Sequence, residues 1–128
     1  MNNVDTIKQA YADFATGNVP AVLALFDPAI EWHECKGMPF VKDEGLYIGP
    51  EAIVTHVFRH LPDYFDGFMI AVTDVFGADD KVVMVGYYQG TNKATGHAFK
   101  ANATHTWTLQ NGKATRFFQA VDTATINT

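Results

Sequence analysis

The sequence predicts an α+β fold in which three N-terminal helices pack on one face of a curved, mostly antiparallel sheet. Segments with helical periodicity come first along the chain, and segments with strand character follow them, separated by turn signals. The Asn111-Gly112 pair adds a strong hairpin signal between the last two predicted strands. The chain has 128 residues, which is enough for one domain with its own core, and we expect residues 1–128 to form one.

The first helix is predicted over residues 4–16, with Asn3 as its N-cap. Its apolar residues recur at helical spacing: Val4, Ile7, Tyr11 and Phe14. Asn18 is expected to cap a second helix, and the Asp27-Pro28 pair is expected to stop it. The sequence therefore predicts two helices before the first strand.

A short strand is predicted at residues 29–35, and a third helix at residues 49–61. Pro50 falls in the first turn of that helix, and Pro62 is expected to follow its end. Residues 36–48 show no periodicity and are predicted to form a long loop. Loops of this length in compact domains are often functional, for example as lids.

Four longer strands are predicted in the second half of the chain, near residues 67–76, 81–91, 97–109 and 113–122. An antiparallel strand with one wet face should alternate between apolar and polar residues. The segment "KVVMVGYY" is apolar at both parities, so the sheet face away from the helices should also be buried. We therefore expect a homodimer joined through the sheet.

Composition narrows the class of protein. The formal net charge is -5 and no run of Lys or Arg occurs, which argues against a nucleic acid or an anionic membrane as a partner. The first residues show no apolar signal region, and no apolar run approaches membrane-spanning length. With Cys35 as the single cysteine, no internal disulfide can form. These features predict a cytoplasmic protein.

His105 is the first candidate for chemistry. The segment "KANATHTWTL" alternates, and His105 falls on the same face as Ala103 and Trp107. A buried imidazole without a partner is costly, so His105 is either a core histidine bonded to a neighbour or a pocket histidine that meets a ligand.

The segment "IEWHE" leaves two arrangements open. Either His33 points inward with Cys35, or Trp32 points inward with Glu34. On the last strand, Gln119 lies between apolar neighbours and could offer a donor and an acceptor to a cavity.

Asp122 follows the last strand, where it either serves chemistry or caps a turn with Thr123. Tyr11 lies on the buried stripe of the first helix, where its hydroxyl either reaches a pocket or is satisfied in the core. His56 and His60 have the i, i+4 spacing of helical metal ligands, but no further ligand set accompanies them. We predict neither a metal nor a cofactor.

The chain resembles the nuclear transport factor two-like superfamily and, within it, the SnoaL-like, ketosteroid-isomerase-related proteins. The stretches that carry the resemblance run in family order over nearly the whole chain: "YADFATGN", "ALFDPAIEWHE", "YIGPEAI", "VGYYQGTNKATGHAF", "THTWTLQNGK" and "RFFQAVDTA". The resemblance implies a cone of three helices that closes a curved sheet around a pocket, in a dimer.

The resemblance also implies roles. His105 falls where ketosteroid isomerases carry the acid that stabilises a dienolate, and their general base aligns near His33. Their first-helix tyrosine falls next to Tyr11, and Asp122 is a counterpart of the acid/base aspartate in SnoaL-like cyclases. We expect substrate to be bound by Tyr11, Trp32, Trp107, Phe117 and Gln119.

Two functions follow as hypotheses. The first is a small cofactor-free enzyme, of isomerase, cyclase or hydratase type, that moves a proton next to a carbonyl in an apolar pocket. His33 or Asp122 would take the proton, and neutral His105 would donate a hydrogen bond to the developing oxyanion. The alternative is a module of the same fold that binds a small apolar molecule without chemistry.

Overall fold

The computed structural model describes residues 2–128 and confirms the α+β class. Helices come first and a long meander of strands follows. The elements in chain order are α1 (Asn3–Ala15), α2 (Val19–Leu25), β1 (Phe26–His33), β2 (Leu46–Ile48), α3 (Pro50–His56), a 3-10 turn (Phe58–His60), α4 (Leu61–Tyr64), β3 (Phe65–Ala78), β4 (Lys81–Asn92), β5 (Ala98–Gln110), β6 (Lys113–Val121) and α5 (Thr123–Ile126).

Within residues 2–128 the strands form one six-stranded sheet in the order β2-β1-β6-β5-β4-β3. Neighbouring strands are antiparallel except β1 and β6, which run parallel. The meander β3–β6 brings the chain back to β1, so that β6 lies beside β1 in the sheet. The prediction of a mostly antiparallel sheet is confirmed.

Helix α1 begins one residue earlier than the sequence predicts. The side chain of Asn2, rather than Asn3, accepts a hydrogen bond from the backbone N–H of Asp5 over 2.8 Å and caps the helix. After α1, Gly17 adopts a φ of 77°, in the left-handed region that glycine tolerates best. Ile7 and Tyr11 are buried, so the predicted apolar stripe of α1 faces the sheet.

Two proline positions differ from the prediction. Pro28 does not separate α2 from the first strand, because β1 already begins at Phe26 and includes it. Pro62 does not end a long third helix: α3 stops at His56, and Pro62 lies in the first turn of α4. Proline is accepted there because the first helical N–H groups have no partner inside the helix.

Residues 36–48 are more ordered than a plain loop. Met38 and Phe40 are buried, and the segment ends in β2, which pairs with β1. The short helix α5 was also not predicted, since a four-residue helix leaves no periodic signal.

The core lies between the helices and one face of the sheet, which we call the inner face. Residues of β4, β5 and β6 alternate between this buried face and the outer face. Paired residues on the outer face form a row across all strands: Phe76, Val83, Thr106, Phe118, His33 and Leu46. Phe76, Phe118 and Leu46 are each about half exposed in the single chain.

Membrane-spanning helices were not expected. Across residues 2–128, every helix is too short or too polar to cross a bilayer.

Candidate functional site

The candidate site lies on the inner face, where three strands place polar side chains next to each other. On β5, His105 is paired with Gln119 of β6 and with Met84 of β4. Two residues along, Trp107 is paired with Phe117. Since strand residues alternate between faces, each pair points toward the helices.

A cavity lies between this face and the helices, with a volume of about 50 Å³. Its apolar wall is largely aromatic, and the rings of Trp32 and Phe117 stack with centroids 3.7 Å apart. The lining residues are Ala10, Tyr11, Phe14, Val22, Trp32, Glu34, Met38, Val57, Phe58, Leu61, Phe68, Ile70, Tyr88, His105, Trp107, Phe117 and Gln119. An aromatic wall with a few polar groups is the usual composition of a small-molecule pocket.

His105 holds two phenols, one on each ring nitrogen. The Tyr11 hydroxyl lies 2.6 Å from Nδ1, and the Tyr88 hydroxyl lies 2.5 Å from Nε2. Burial lowers the pKa of His105 to about 3, so the ring is neutral near pH 7 and carries one N–H. Because both nitrogens are occupied, His105 has none left for a ligand, and the expected direct hydrogen bond from His105 to an oxyanion is not available.

The hydrogen-bond chain continues at both ends of this triad. Trp107 donates from Nε1 to the Tyr11 hydroxyl over 2.9 Å. At the other end, Gln119 donates from Nε2 to the Tyr88 hydroxyl over 3.1 Å and to Glu34 Oε1 over 3.0 Å. In the part of the chain that the structure describes, no fully buried side-chain N or O atom lacks a partner. The polar groups of the pocket therefore form one connected hydrogen-bond network.

Glu34 is the carboxyl group of the pocket. It follows the last residue of β1, is 5 % exposed, and accepts a second hydrogen bond at Oε1, from Trp32 Nε1 over 2.9 Å. Burial raises the pKa of Glu34 to about 7, although the Trp32 hydrogen bond acts in the opposite direction. Within residues 2–128, Oε2 has no hydrogen-bond partner. A carboxyl group with a free oxygen and a pKa near neutrality suits proton transfer.

The structure decides between the two arrangements left open for "IEWHE". Trp32 and Glu34 point inward, and His33 lies on the outer face, where its ring is 5.8 Å from that of Phe118. The expectation that His33 shares a ligand with His105 is therefore corrected, because the sheet separates the two imidazoles.

Asp122 also lies away from the cavity. It is exposed and caps α5, accepting hydrogen bonds from the backbone N–H and the hydroxyl of Thr125 over 3.2 and 2.5 Å. These hydrogen bonds hold the pKa of Asp122 below its usual value, so the carboxylate is committed to the cap. The expected acid/base role is corrected, and the turn-capping alternative describes the position, with Thr125 as the partner.

The structure brings together the remaining predicted site residues. His105 and the whole set expected to bind substrate line the cavity: Tyr11, Trp32, Trp107, Phe117 and Gln119. Sequence reasoning missed Tyr88, which lies in a segment that is apolar at both parities. It also missed Met38, which contacts the cavity from the aperiodic segment 36–48.

The two histidines at i, i+4 spacing, His56 and His60, stack on aromatic rings of segment 36–48. His56 stacks on Tyr47 with centroids 4.9 Å apart, and His60 stacks on Phe40 at 5.7 Å. They belong to different helical segments, α3 and the 3-10 turn. Among the described residues, no three His, Cys, Asp or Glu side chains cluster as metal ligands would.

Comparisons with known proteins agree with this geometry. A SnoaL-like domain family model matches residues 7–117. An NTF2-like protein from Burkholderia thailandensis is 32 % identical, with 99 % of this chain and 95 % of that chain covered and a TM-score of 0.92. TerC, crystallised with polyporic acid, is 26 % identical over 98 % of this chain and 95 % of that one, with a TM-score of 0.85.

IdmH of Streptomyces antibioticus, a candidate polyketide cyclase, is 18 % identical and shares the fold, with 99 % and 96 % coverage and a TM-score of 0.84. No curated protein matches the chain significantly. The family model covers most of the chain, and the structural neighbours share the same helices and sheet. The chain therefore belongs to the SnoaL-like domain family, within the NTF2-like superfamily.

Proposed function

We propose that this protein catalyses proton transfer at a carbon next to a carbonyl group in a small, apolar molecule. The observation that carries the proposal is the pairing of Glu34, whose Oε2 is unpartnered, with a phenol–imidazole network in the same aromatic cavity. Abstraction of such a proton needs a base at the carbon and a donor at the oxygen. The network has the groups for both tasks.

Glu34 is the proposed base, in place of His33 or Asp122. Its carboxylate takes the proton from the carbon, and the electron pair of that C–H bond moves to give an enolate. A pKa of about 7 makes Glu34 a stronger base than an ordinary carboxylate, yet leaves much of it ionised near neutral pH. The proton then returns to another carbon in an isomerisation. In a cyclisation the enolate carbon attacks a second carbonyl, whose oxygen takes the proton.

The oxygen side is served by a hydrogen bond from the Tyr11–His105–Tyr88 triad. These groups are buried and held by Trp107 and Gln119, so they need little reorganisation when charge develops on the oxygen. A preorganised donor of this kind is worth roughly 10²–10³ in rate.

The proposed substrate is a ring-containing molecule that fits between aromatic side chains. The stacked Trp32–Phe117 pair and the partly buried rings of Phe58 and Phe68 favour a flat, unsaturated compound. The crystallisation of TerC with polyporic acid supports a small organic ligand in this fold. The cavity is small, about 50 Å³, so a ring-containing substrate requires movement of side chains such as Met38.

We also propose that two copies pair through the outer sheet face. The row that contains the half-exposed apolar side chains of Phe76, Phe118 and Leu46 runs across all strands, and a second copy placed by two-fold symmetry would cover it. This pairing would leave the cavity, on the inner face, accessible.

Phenylacetone in heavy water tests the catalytic proposal, because its benzylic carbon is acidic and adjacent to a carbonyl. Proton NMR should show enzyme-dependent loss of the benzylic signal, and Glu34→Gln should abolish it. Glu31→Gln is the matched control, since Glu31 is exposed on β1, three residues before Glu34. Exchange that survives Glu34→Gln would refute Glu34 as the base. Binding of phenylacetone without exchange would favour a ligand-binding module.

A further inference from the structure

The hydrogen-bond network contains one hydrogen that has no acceptor inside it. A neutral His105 has one N–H and one lone pair, so it can receive a hydrogen from only one of its two phenols. The other phenol must accept from the ring. Each phenol oxygen already accepts an N–H, from Trp107 at Tyr11 and from Gln119 at Tyr88. The phenol that also accepts from His105 therefore keeps an O–H for a partner outside the network.

We propose that this free O–H belongs to Tyr88 and that it donates to the carbonyl oxygen of the substrate, with His105 in its Nε2–H tautomer. The donors then run in one direction. Trp107 N–H donates to Tyr11, Tyr11 O–H donates to Nδ1, and Nε2–H donates to Tyr88. The inference rests on the proposed function for its substrate, and it names a donor on β4 rather than His105 or the first-helix tyrosine.

The position of Gln119 selects Tyr88 over Tyr11. One nitrogen, Nε2, donates to both Glu34 Oε1 and the Tyr88 oxygen. The two N–H bonds of a planar amide diverge by about 120°, which places those two oxygens roughly 5 Å apart. Tyr11 is farther along the network, beyond the imidazole ring.

This spacing matches one arrangement of reacting atoms. A carbonyl oxygen and its α-carbon are about 2.4 Å apart. An oxygen within hydrogen-bond distance of Tyr88 therefore leaves the α-carbon beside the Glu34 carboxyl group. The spacing between Tyr88 and Glu34 thus suits removal of an α-proton.

Binding of carbon-13-labelled phenylacetone tests the donor, with 2-methyl-3-phenylpropene as the matched probe that replaces the carbonyl oxygen by a CH₂ group. The wild-type protein should lower the carbonyl stretching frequency and bind the ketone up to about tenfold more tightly than the alkene. Tyr88→Phe should abolish both effects, whereas Tyr87→Phe, on the outer face of the same strand beside Lys100, should retain them. Retention of both effects in Tyr88→Phe would overturn the proposal, as would no binding of the ketone.

A second measurement needs no substitution. Nitrogen-15 NMR of histidine-labelled wild-type protein with phenylacetone bound should show His105 protonated at Nε2 and unprotonated at Nδ1. The reverse tautomer would refute the assignment even if Tyr88→Phe fails to fold. Both readouts are independent of turnover. A hydrogen-bonded ketone without deuterium exchange would leave Tyr88 as the donor and refute only the catalytic function.

Discussion

Gln119 Nε2 donates to Oε1 of Glu34 over 3.0 Å, and this hydrogen bond joins the carboxyl group of the pocket to the phenol–imidazole network. The same nitrogen bonds the Tyr88 hydroxyl. A single amide therefore fixes the proposed base relative to the proposed donor. This arrangement leads to predictions about pH, stability and activity.

The rate of α-proton exchange should rise with pH and level off above about pH 7. Burial raises the pKa of Glu34 to about 7, and only its ionised form can accept a proton. Glu34→Gln should lower the rate about 10²–10⁴-fold and remove this dependence. NMR-monitored exchange between pH 5 and about pH 9 measures both. A wild-type profile that is flat through pH 7 would contradict the assignment.

Glu34→Gln should gain stability relative to the wild type as pH rises from about 4.5 to about 7. The folded state raises the pKa of Glu34, so wild-type stability from this group is present below the unfolded pKa and is lost as pH rises through 7. The change amounts to about 1.4 kcal/mol per pH unit at most. Urea unfolding of both proteins at several pH values gives the difference.

His105 should make the free energy of unfolding depend on pH with the opposite sign to Glu34. Burial lowers its pKa to about 3, so its contribution is present above the unfolded pKa of about 6.5 and is lost as pH falls toward 3. In Glu34→Gln, where the opposing carboxyl group is gone, unfolding free energy should therefore fall steadily below about pH 6.5. A Glu34→Gln, His105→Phe double variant should lose this slope. Persistence of the slope in the double variant would assign it to other groups.

His105→Phe should lower stability by about 1–3 kcal/mol although it places an apolar ring in an apolar pocket. The substitution leaves the hydroxyls of Tyr11 and Tyr88 each without one partner. His105→Gln, which keeps a donor and an acceptor, should cost less. Urea unfolding ranks the two variants. Deuterium exchange at the wild-type rate in His105→Phe would remove the imidazole from the mechanism.

Phe118→Asp should convert a dimer to a monomer, because it puts a charge in the centre of the outer sheet face. Phe118 is 49 % exposed in the single chain, so the fold should tolerate the change. Lys8→Ala is the control, since it changes the net charge by the same amount at an exposed position of α1. Sedimentation at micromolar concentration distinguishes the states. A monomeric wild-type protein would contradict the proposed pairing.

The sequence was informative where the pattern was simple. Alternation in "KANATHTWTL" put His105 on the inner face, and the hairpin signal at Asn111-Gly112 fell between β5 and β6, which the structure joins there. For "IEWHE", either parity placed a polar residue inward, so the pattern could not choose Glu34. That choice comes from tertiary contacts, the hydrogen bonds to Trp32 and Gln119.

Other features carried no local signal. Tyr88 lies in a strand with apolar residues on both faces, and only pairing with β5 shows that it points inward. The sequence placed Pro62 after the end of the third helix. Proline follows the end of one helix as readily as it occupies the first turn of the next, and in the structure it does the latter. The sequence could not distinguish a capping role from an acid/base role for Asp122, because the four-residue helix α5 that it caps leaves no periodic pattern.

The parallel pairing of β1 with β6 has a consequence for how the protein matures. Trp32 and Glu34 emerge early in synthesis, but their partners Phe117 and Gln119 emerge 85 residues later. Until β6 is synthesised, the Glu34 carboxyl group and the Trp32 indole of the nascent chain lack these partners and are exposed to water. The pocket closes only after β6 has left the exit tunnel, so the site and the completed sheet arise in the same event.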